Sequence, residues 1–308
     1  MSSASLTDSI LNICQNCYTD FLSLKNVNGI ALGLKSTNSQ ITGELCLQVL
    51  VEQKMSILKL DSKDVVPKTY QNIKTDVVEV GKLFTKSLNT KIRPAKCGYS
   101  LGPVNSLHYG TAGCIVKRGS DLNIEYFILS CNHILANINS LPLGTPILQP
   151  AQLDGGKNPD DIIANLSEFV TLKFSSRSVR LPNLVDCAIA KIKNDSLISN
   201  ELAWIGYPKG IADAALGSRV KKCGRTTGLT DGLVKSIGAT IWLLLHNGRF
   251  SLLQDQILTD NISSLGDSGS LVLDADNNAI GLLCGGSRSV SICNKINNVL
   301  SALNVELV

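Results

Sequence analysis

The chain has 308 residues, of which 44% are hydrophobic and 18% charged, and its formal net charge is +4. This composition excludes a disordered chain, and the mild charge without a Lys/Arg block excludes the usual nucleic-acid binders. No run reaches the roughly 18 uninterrupted apolar residues that a membrane span needs. The N-terminal segment also lacks the basic and long apolar stretches of a secretory signal, so we expect a cytoplasmic protein.

The ten cysteines are expected to be reduced thiols, because a chain that is not exported stays in a reducing compartment. Cys14 and Cys17 form a C-x-x-C pair, but no second pair with zinc spacing follows. Two ordinary helix cysteines are therefore favoured over a metal site. The sequence predicts no metal and no organic cofactor.

Residues 1–92 are predicted to form a small α+β domain. Apolar residues recur at helical spacing over 6–24, and strands are predicted at 27–35, 43–54 and 76–81. This stretch has no histidine and no clustered carboxylates, so it offers no catalytic group. Its small sheet must still bury one face, which predicts packing against the rest of the chain or a second copy. A homo-oligomer formed through this domain is the resulting hypothesis.

A linker rich in Lys, Ser, Gly and Pro covers 86–106, and short apolar runs separated by turns follow it. The runs are GCIVKR (113–118), IEYFILS (124–130), VDCAIAKI (185–192), SRVKKCG (218–224), LVKSIGATIWLLL (233–245), FSLLQDQILT (250–259), GSLVLD (269–274) and AIGLLCGG (279–286). The turns are GSDLN (119–123), GLTDG (228–232), HNGR (246–249) and DADNN (274–278). Many short strands without a long helical pattern predict an antiparallel barrel or sandwich, and 93–308 has room for two small barrels.

The clearest chemical signal is Gly266-Asp267-Ser268-Gly269-Ser270, in a predicted turn before the strand GSLVLD. A serine hydroxyl is a poor nucleophile unless a neighbouring base accepts its proton. The glycines allow a tight turn in which the N–H groups of Gly266 and Ser268 face one point, as an oxyanion hole requires. A plain Gly/Ser turn between two strands is the alternative for this motif alone.

A candidate base comes from the three histidines of the chain. His133 lies in SCNHILA, where the apolar strand IEYFILS meets its loop. His108, in the linker, and His246, in the turn HNGR, are expected at the surface. Taken alone, a histidine at such a position is more often structural than catalytic, so the interpretation of His133 depends on the other groups.

Asp186 is the predicted partner of His133, because it is embedded in the apolar strand LVDCAIAKI. A buried carboxylate needs a hydrogen-bond donor, since an unpaired charge is strongly destabilising there. A histidine N–H is a natural donor, and the carboxylate then fixes the imidazole tautomer. Asp160 and Asp161, in the polar loop GGKNPDD, are the rival carboxylates.

These segments resemble the signatures of the chymotrypsin-like serine peptidases. ILSCNHILA is similar to their histidine segment, VDCAIAKI to their aspartate strand and GDSGSLV to their serine signature, in the same His–Asp–Ser order. AIGLLCGGS resembles the strand that holds the substrate backbone. More narrowly, NVNGIALGLK, TDVVEVG, TPILQPAQLDGG, AALGSRVKKCGRTTGLTDG and GDSGSLV resemble a group of bacterial trypsin-like peptidases related to the plant narrow-leaf type.

The resemblance implies a mainly β fold, a chymotrypsin-like double β-barrel over 93–308 after the small α+β domain. It also implies a serine endopeptidase that hydrolyses protein or peptide substrates. His133 is then the general base and afterwards the general acid, Asp186 orients it, and Ser268 attacks the scissile carbonyl. The N–H groups of Gly266 and Ser268 form the oxyanion hole.

The resemblance also places a specificity pocket. Counting six residues back from the nucleophile puts Ile262 at the pocket base, and Cys284, Gly285 and Gly286 match the residues that pair with the substrate backbone. An isoleucine offers no counter-charge for a buried Arg or Lys, so we expect apolar residues before the cleaved bond. Asp260 approaches the pocket only if its loop shifts.

The chain departs from the secreted members of this family. Asn132 precedes His133, no cysteine follows to make their usual bridge, and no Ile/Val-Val-Gly-Gly propeptide junction is visible. We therefore expect that Asp267 does not bind a freed N-terminus and that the site forms without cleavage. Two other functions stay open, a protease-like scaffold or partner-binding protein with an idle site and an esterase with the same three residues. No nucleic-acid or membrane partner is predicted.

Two neighbouring features are assigned no chemistry. The basic run VKKCGR is expected at a solvated strand edge, where charge discourages strand pairing. Cys131, Cys187 and Cys284 fall in segments near the three residues above, where small buried hydrophobic residues are favoured over redox groups.

Overall fold

The structure is a computed structural model that describes residues 3–37, 40–81, 83, 88–120 and 123–308. Two compact units divide the chain, 1–85 and 86–308. Among the described residues, no helix has the length and apolar character needed to cross a membrane.

The structural boundary lies before the sequence-based boundary at 92/93, because the segment that follows it belongs to the second unit. Leu88 is buried with Ala203 and Cys223. The Gln149 side chain also donates to the C=O of Thr90 at 2.9 Å. These contacts tie the end of the predicted N-terminal domain to the larger unit.

The first unit is a four-stranded sheet with helices. Its elements are α1 (Ser3–Asn16), α2 (Thr19–Leu22), β1 (Val27–Thr37), β2 (Gln40–Val51), β3 (Thr69–Tyr70) and β4 (Ile73–Glu79). The strand order is β1-β2-β4-β3, with β1 and β2 antiparallel and β2 and β4 parallel. The helix predicted over 6–24 is instead two helices, which are separated at Cys17 and Tyr18.

Apolar side chains of both helices meet the sheet in one core. Its fully buried members are Ile10, Ile13, Phe21, Leu47, Val49 and Ile73. Helical spacing puts Ile10 and Ile13 on one side of α1, and alternation puts Leu47 and Val49 on one face of β2. This core consists of residues of the first unit alone.

The second unit is built mainly from strands. They are β5 (Ala95–Cys97), β6 (Ser100–Pro103), β7 (Gly110–Thr111), β8 (Cys114–Arg118), β9 (Glu125–Ser130), β10 (Pro146–Leu148), β11 (Ile162–Phe169), β12 (Pro182–Asn183), β13 (Ala188–Ile192), β14 (Ile198–Leu202), β15 (Gly210–Ile211), β16 (Arg219–Gly224), β17 (Gly228–Leu244), β18 (Phe250–Asp260), β19 (Leu271–Asp274), β20 (Asn278–Gly286), β21 (Val290–Lys295) and β22 (Glu306–Leu307). The helices are α3 (Asn132–Leu135) and α4 (Ile296–Leu303).

The first barrel closes through one bent strand. The pairing order runs from β8 through β9, β13, β11, β10 and β6 to β7, with antiparallel neighbours throughout. Only Ala112 and Gly113 separate β7 from β8, so the run of pairs returns to its start. The predicted linker over 86–106 contains β5 and β6, and β6 is part of this barrel, so its described residues from 88 onwards are not a simple connecting loop.

The second barrel closes as a ring of six antiparallel strands. β16 pairs with β17, β17 with β18, β18 with β21, β21 with β20, β20 with β19 and β19 with β16. The largest core cluster contains residues of both barrels and of α4, such as Leu129, Leu282 and Val299. The prediction of a mainly β fold with two small barrels after an α+β domain is confirmed.

The turn predicted at 228–232 is wrong. β17 already begins at Gly228, and the β16–β17 hairpin turns through 225–227, with Gly224 opposite Gly228. The carboxylate of Asp267 accepts the N–H groups of Thr226 and Thr227 in this turn. The turn at 225–227 is therefore stabilised by Asp267, which is about 40 residues away in the sequence. The sequence around the turn does not indicate this partner.

Candidate active site

His133 and Asp186 come together at the ends of two paired strands. His133 lies in α3, just after β9, and Asp186 lies two residues before β13, which pairs with β9. His133 Nδ1 is 2.5 Å from Asp186 Oδ2, and the His133 backbone N–H donates to Asp186 Oδ1 at 3.1 Å. Because an ionised carboxylate only accepts, Nδ1 carries the proton and Nε2 is left as an acceptor. The Asp186 side chain is fully buried, whereas 11% of the His133 side chain is exposed.

Neutral groups surround the Asp186 carboxylate. Asn294 fixes its backbone, accepting from the Asp186 N–H at 3.0 Å and donating to its C=O at 3.3 Å. Burial, and then the charge of Asp186, raise the pKa of the thiols of Cys131, Cys187 and Cys284 well above the usual range. These cysteines therefore stay protonated, which disfavours thiolate chemistry next to the pair.

Cys131, His133 and Asp186 are also potential metal ligands, with ligand atoms within 4.8 Å of one another. The Nδ1–Oδ2 hydrogen bond already joins the histidine to the carboxylate. The Cys131 thiol points to the C=O of Leu283 at 3.2 Å. The three groups therefore fit a hydrogen-bonded pair beside a buried thiol better than a metal centre.

The rival carboxylates have other partners or face solvent. Asp161 is buried, forms an ion pair with Lys91 and accepts the Lys157 N–H at 2.9 Å. Asp160 is exposed. Within the described ranges, neither carboxylate forms a hydrogen bond or ion pair with His133, and Asp186 does.

Ser268 lies between β18 and β19 in a turn that presses against the strand end leading to His133. Its C=O accepts the Thr111 N–H at 2.8 Å. A Cβ on Gly269 would lie 2.1 Å from Ser130 Oγ, so this close approach requires glycine. In the part of the chain that the structure describes, Ser268 Oγ makes no hydrogen bond, including none to His133. Catalytic hydrogen bonds often tighten only when substrate binds.

The peptide between Leu265 and Gly266 carries the Gly266 N–H and is held through its C=O group. Thr226 Oγ1 donates to the C=O of Leu265 at 2.6 Å. The C=O and N–H of a trans peptide point in opposite directions, so the Gly266 N–H points away from Thr226. Gly266 has φ +98°, and a Cβ there would lie 2.4 Å from Thr226 Oγ1.

The peptide that carries the Ser268 N–H is held in the same way. The C=O of Asp267 accepts from the backbone N–H of Ser270 at 3.0 Å and from its hydroxyl at 2.6 Å. Among the described residues, neither the Gly266 N–H nor the Ser268 N–H donates a hydrogen bond. Two unpaired donors held by fixed peptides have the chemistry of an oxyanion hole.

A buried lysine anchors Asp267, the residue between these two peptides. Lys222 Nζ lies 3.4 Å from Asp267 Oδ2, and both side chains are fully buried. The carboxylate also accepts the N–H groups of Thr226, Thr227 and Ser264 at 2.8, 3.1 and 2.9 Å. Burial lowers the pKa of Lys222, and the charge of Asp267 opposes this shift. An internal ammonium thus neutralises the acid.

The basic run VKKCGR does not lie wholly at a solvated edge. Lys222 shares the inward face of β16 with Val220, because alternate residues of a strand point the same way. That alternation is the only local signal for a buried lysine. Arg225, at the end of the run, binds Asp154 through Nε at 2.9 Å and stacks 4.1 Å from the Tyr109 ring centroid.

The residues predicted to bind substrate lie at different depths. Ile262 and Cys284 are each 2% exposed, and their side chains belong to core clusters. Ile262 therefore packs within the second barrel instead of forming an open pocket base. Gly285 is half-buried and Gly286 is exposed at the end of β20. A Cβ on Gly286 would lie 2.7 Å from the C=O of Val290, so this position requires glycine.

The polar groups next to Ile262 are bound to one another. Ser263 Oγ lies 2.6 Å from Ser291 Oγ. Asp260, the acid considered for the pocket, lies 2.8 Å from Lys235 Nζ and accepts the Leu233 N–H at 2.9 Å. Its negative charge already has a partner.

The two other histidines lie near His133, which the sequence does not indicate. The rings of His108 and His246 have centroids 4.2 Å apart, and those of His246 and His133 are 6.5 Å apart. His246 is exposed, as predicted, whereas His108 is half-buried and not fully at the surface. Their convergence depends on barrel closure, which no local pattern records.

No family model and no curated protein matches the chain. Solved structures do match it. The Nocardiopsis protease NAPase is 16% identical with a TM-score of 0.50, and the match covers 69% of this chain and 99% of that one. Thermobifida fusca Protease A is 20% identical with a TM-score of 0.48, covering 69% and 97%. A Cellulomonas bogoriensis chymotrypsin is 17% identical with a TM-score of 0.48, also covering 69% and 97%.

At these identities the similarity concerns the fold and not the activity. The resemblance to one bacterial group of trypsin-like peptidases stays a prediction. The chain has a mainly β structure in which an N-terminal α+β unit precedes the double β-barrel fold of the chymotrypsin-like serine proteases.

Proposed function

We propose that the protein is a serine endopeptidase. One observation carries the proposal: Ser268 lies in a turn with two unpaired, fixed N–H groups, packed against the strand end that presents His133 hydrogen-bonded to a buried Asp186. A nucleophile, a base with a defined tautomer and an oxyanion site are the parts that acyl transfer needs. The fold is one on which this chemistry occurs.

In the proposed reaction, Ser268 Oγ attacks the scissile carbonyl carbon while its proton passes to His133 Nε2. Asp186 stabilises the imidazolium, and the N–H groups of Gly266 and Ser268 bind the oxyanion of the tetrahedral intermediate. When the C–N bond breaks, His133 returns the proton to the leaving amine. Water then attacks the acyl-enzyme with His133 again as base, which releases the second product and regenerates the hydroxyl.

The proposal includes an active site that forms without cleavage of the chain. The Lys222 ammonium meets Asp267 from within β16, in the role that a freed N-terminus has in zymogen-activated relatives. Asp267 and its neighbours then hold the Gly266 and Ser268 peptides in place. This pairing supports a constitutive site.

For substrate choice, the proposal keeps an apolar residue before the cleaved bond. Asp260 is engaged by Lys235, so it offers no free charge for Arg or Lys. Gly285 and Gly286 at the end of β20 leave the substrate backbone room to approach. A strong excess of cuts after Arg or Lys in a peptide library would contradict this part of the proposal.

Covalent labelling tests the nucleophile. A fluorophosphonate probe should label the purified chain, and Ser268→Ala should abolish the label, while Ser264→Ala, in the same loop, should keep it. Loss of one hydroxyl in a turn changes stability little, so an unchanged melting temperature should accompany the loss of label. Undiminished labelling of Ser268→Ala would reject the assignment.

The two alternatives separate in the same experiments. A scaffold with an idle site would take up no probe. An esterase would be labelled and would hydrolyse small acyl esters, but it would leave a peptide library intact. Peptide cleavage that depends on Ser268 selects the endopeptidase.

A further inference from the structure

Thr111, in β7 of the first barrel, is hydrogen-bonded to the loop of the second barrel that contains Ser268. Its hydroxyl donates to the C=O of Gly266 at 2.9 Å, and its backbone N–H donates to the C=O of Ser268 at 2.8 Å. Thr111 is completely buried, so water does not compete for these bonds. One residue of the first barrel therefore holds the loop on both sides of Asp267.

The hydroxyl bond acts on the peptide that joins the two proposed oxyanion donors. The peptide between Gly266 and Asp267 lies between those that carry the N–H groups of Gly266 and Ser268. Because each peptide is planar, turning the middle one changes the angle between the outer two. Its N–H donates to the C=O of Ser264 at 3.0 Å, which is a bond within the loop. Among the described residues, only Thr111 bonds this middle peptide to the first barrel.

The remaining polar groups of Thr111 fix its own position. Its C=O accepts from the Ser130 hydroxyl at 2.8 Å, and Ser130 is the last residue of β9, the strand that leads to His133. Its hydroxyl oxygen accepts the Arg225 N–H at 3.0 Å, from the turn between β16 and β17. Thr111 thus connects the segment that carries the base with the loop that carries the nucleophile.

The pattern of these bonds requires a hydroxyl at this position. A hydroxyl donates one proton and accepts through its lone pairs, so Thr111 Oγ1 serves the C=O of Gly266 and the N–H of Arg225 at the same time. A side chain without the hydroxyl leaves both backbone groups unpaired in the interior. Because unpaired buried polar groups are strongly unfavourable, the loop then has to turn its peptides towards other partners.

We propose that Thr111 is a positioning residue that orients the N–H groups of Gly266 and Ser268 towards the oxyanion. It does so across the contact between the two barrels, which makes the first barrel part of the oxyanion site. The inference rests on the proposed function. A fully buried side chain is out of reach of a bound peptide, so Thr111 acts only through the loop.

Thr111→Val tests this role, because it keeps the shape and the backbone bond to Ser268 but removes both hydroxyl bonds. We expect kcat on a peptide substrate to fall by about 10–10²-fold, less than the 10²–10³ that follows outright loss of an oxyanion donor, with KM nearly unchanged. Thr111→Ser keeps both hydroxyl bonds and should keep kcat close to that of the parent. An unchanged kcat in Thr111→Val, or an equal loss in Thr111→Ser, would overturn the proposal.

A matched control separates peptide orientation from general destabilisation. Thr259, in β18, is also completely buried, and its hydroxyl donates to the C=O of Asp260 at 2.8 Å. Thr259→Val therefore loses a hydroxyl-to-carbonyl bond that does not involve the peptides between 265 and 269. It should lower the melting temperature and leave kcat unchanged. Equal decreases of kcat in Thr111→Val and Thr259→Val would reject the positioning role.

A transition-state analogue measures the oxyanion site directly. A peptidyl trifluoromethyl ketone adds the Ser268 oxygen to its carbonyl carbon, the serine proton passes to His133, and the former carbonyl oxygen becomes the oxyanion. In Thr111→Val its affinity should fall by about the same factor as kcat/KM. A peptide inhibitor without a reactive carbonyl should bind as tightly as to the parent. Equal losses for both inhibitors would contradict an effect on the oxyanion site.

If Thr111→Val does not fold, Ser130→Ala takes its place, because it removes the bond to the C=O of Thr111 without adding bulk. It should lower kcat in the same direction by a smaller factor, and an unchanged kcat would overturn the proposal.

Amide NMR gives a readout that needs no activity. Thr111→Val should shift the resonances of Gly266 and Asp267 and speed their hydrogen exchange, whereas Thr259→Val should not. Unchanged resonances in Thr111→Val would overturn the proposal. Shifted resonances in a parent chain that never hydrolyses peptides would support the contact of Thr111 with the loop and reject the proposed function.

Discussion

Asp186 accepts a hydrogen bond from His133 Nδ1, and replacing one carboxylate oxygen by an amide NH₂ tests the importance of this bond. Asp186→Asn keeps the volume but presents an N–H to the ring, which favours the tautomer with its proton on Nε2. Because that tautomer cannot accept the Ser268 proton, we expect turnover to fall by a factor on the order of 10⁴. The measurement is kcat/KM on a peptide substrate.

Asp161→Asn is the control for this change, because it neutralises a second buried carboxylate. Asp161 pairs with Lys91, so its loss should affect stability and leave turnover close to that of the parent. Near-normal activity in Asp186→Asn together with inactivity in Asp161→Asn would show that the wrong carboxylate has been chosen.

Thr226 holds the peptide that carries the Gly266 N–H, which is the proposed oxyanion donor. Thr226→Val keeps the shape but removes the hydrogen bond to the C=O of Leu265, so the peptide is free to rotate. We expect kcat to fall by up to about 10²–10³, the usual effect of losing one oxyanion donor, with little change in KM. Steady-state kinetics with a peptide substrate measures this split.

Thr230→Val gives a matched comparison, since Thr230 Oγ1 donates to the C=O of Ile262 at 2.6 Å in the same loop. Thr226→Val also removes the hydrogen bond that Thr226 Oγ1 accepts from Arg225 Nη1 at 3.1 Å, so it should lose about 1–2 kcal/mol of stability, and Thr230→Val about 1 kcal/mol. Only Thr226→Val should show the large decrease in kcat. Equal decreases would mean that general loosening of the loop, and not the peptide orientation, limits the reaction.

Sequence reasoning could single out residues whose environment is local. Asp186 is noticeable because it interrupts an apolar strand, and the glycines around Ser268 because they interrupt another. The pairing of Lys222 and the closeness of His246 to His133 could not be found in this way. Asp267, which pairs with Lys222, and His133, whose ring lies 6.5 Å from that of His246, are both distant in the sequence, and only barrel closure brings these residues together.

Among the elements, the β16–β17 hairpin and the loop before β19 are joined by the Lys222–Asp267 pair. Lys222→Met removes the ammonium and leaves a buried carboxylate with amide and hydroxyl donors only. Breaking a buried ion pair from one side is destabilising by about 3–5 kcal/mol, and we expect a loss of this size together with loss of activity. Denaturant unfolding and probe labelling measure the two effects.

The double variant Lys222→Met/Asp267→Asn tests the pair as a unit. It removes both charges, so stability should recover in part compared with Lys222→Met alone. Activity should not recover, because Asp267 also holds the hairpin turn through Thr226 and Thr227. If the stability loss of the double variant equals the sum of the losses in Lys222→Met and Asp267→Asn, the two charges are not coupled.

Alternation and apolar runs predict the strands that carry them, so the eight runs of the second unit fall on β8, β9, β13, β16, β17, β18, β19 and β20. Half of the described strands have no predicted counterpart, including the eight-residue β11. The short strands β5 and β6 are missed, because their composition is that of a linker and their hydrogen bonds come from distant partners. The break after α1 at Cys17 and Tyr18 is missed as well, because the apolar spacing continues across it. Periodicity indicates which face is buried, but it does not show where the backbone stops being regular.

For the whole molecule, the number of short strands indicated two barrels, but the closing pairs could not be predicted. Closure of the first barrel depends on the bend at Ala112 and Gly113, and closure of the second depends on β21 returning to β18. These pairings are non-local, so they have no signature within any one strand. The candidate site combines His133 and Asp186, next to strands of the first barrel, with Ser268, in the loop before β19 of the second barrel.

The N-terminal unit leaves large apolar side chains in water, which supports the hypothesis that it mediates assembly. Ile41, Ile57 and Leu58 are 72%, 67% and 96% exposed, although the unit has a core of its own. A contiguous exposed apolar patch favours self-association, and Ile57 and Leu58 are neighbours in the chain. We expect light scattering to show an oligomer of the full chain that Leu58→Asp shifts towards monomer, with the melting temperature of the second unit unchanged. Leu216→Asp, at a 64% exposed leucine of the second unit, should leave the oligomer intact. A full chain that is monomeric at every concentration tested, or an oligomer that survives deletion of 1–85, would remove the assembly role.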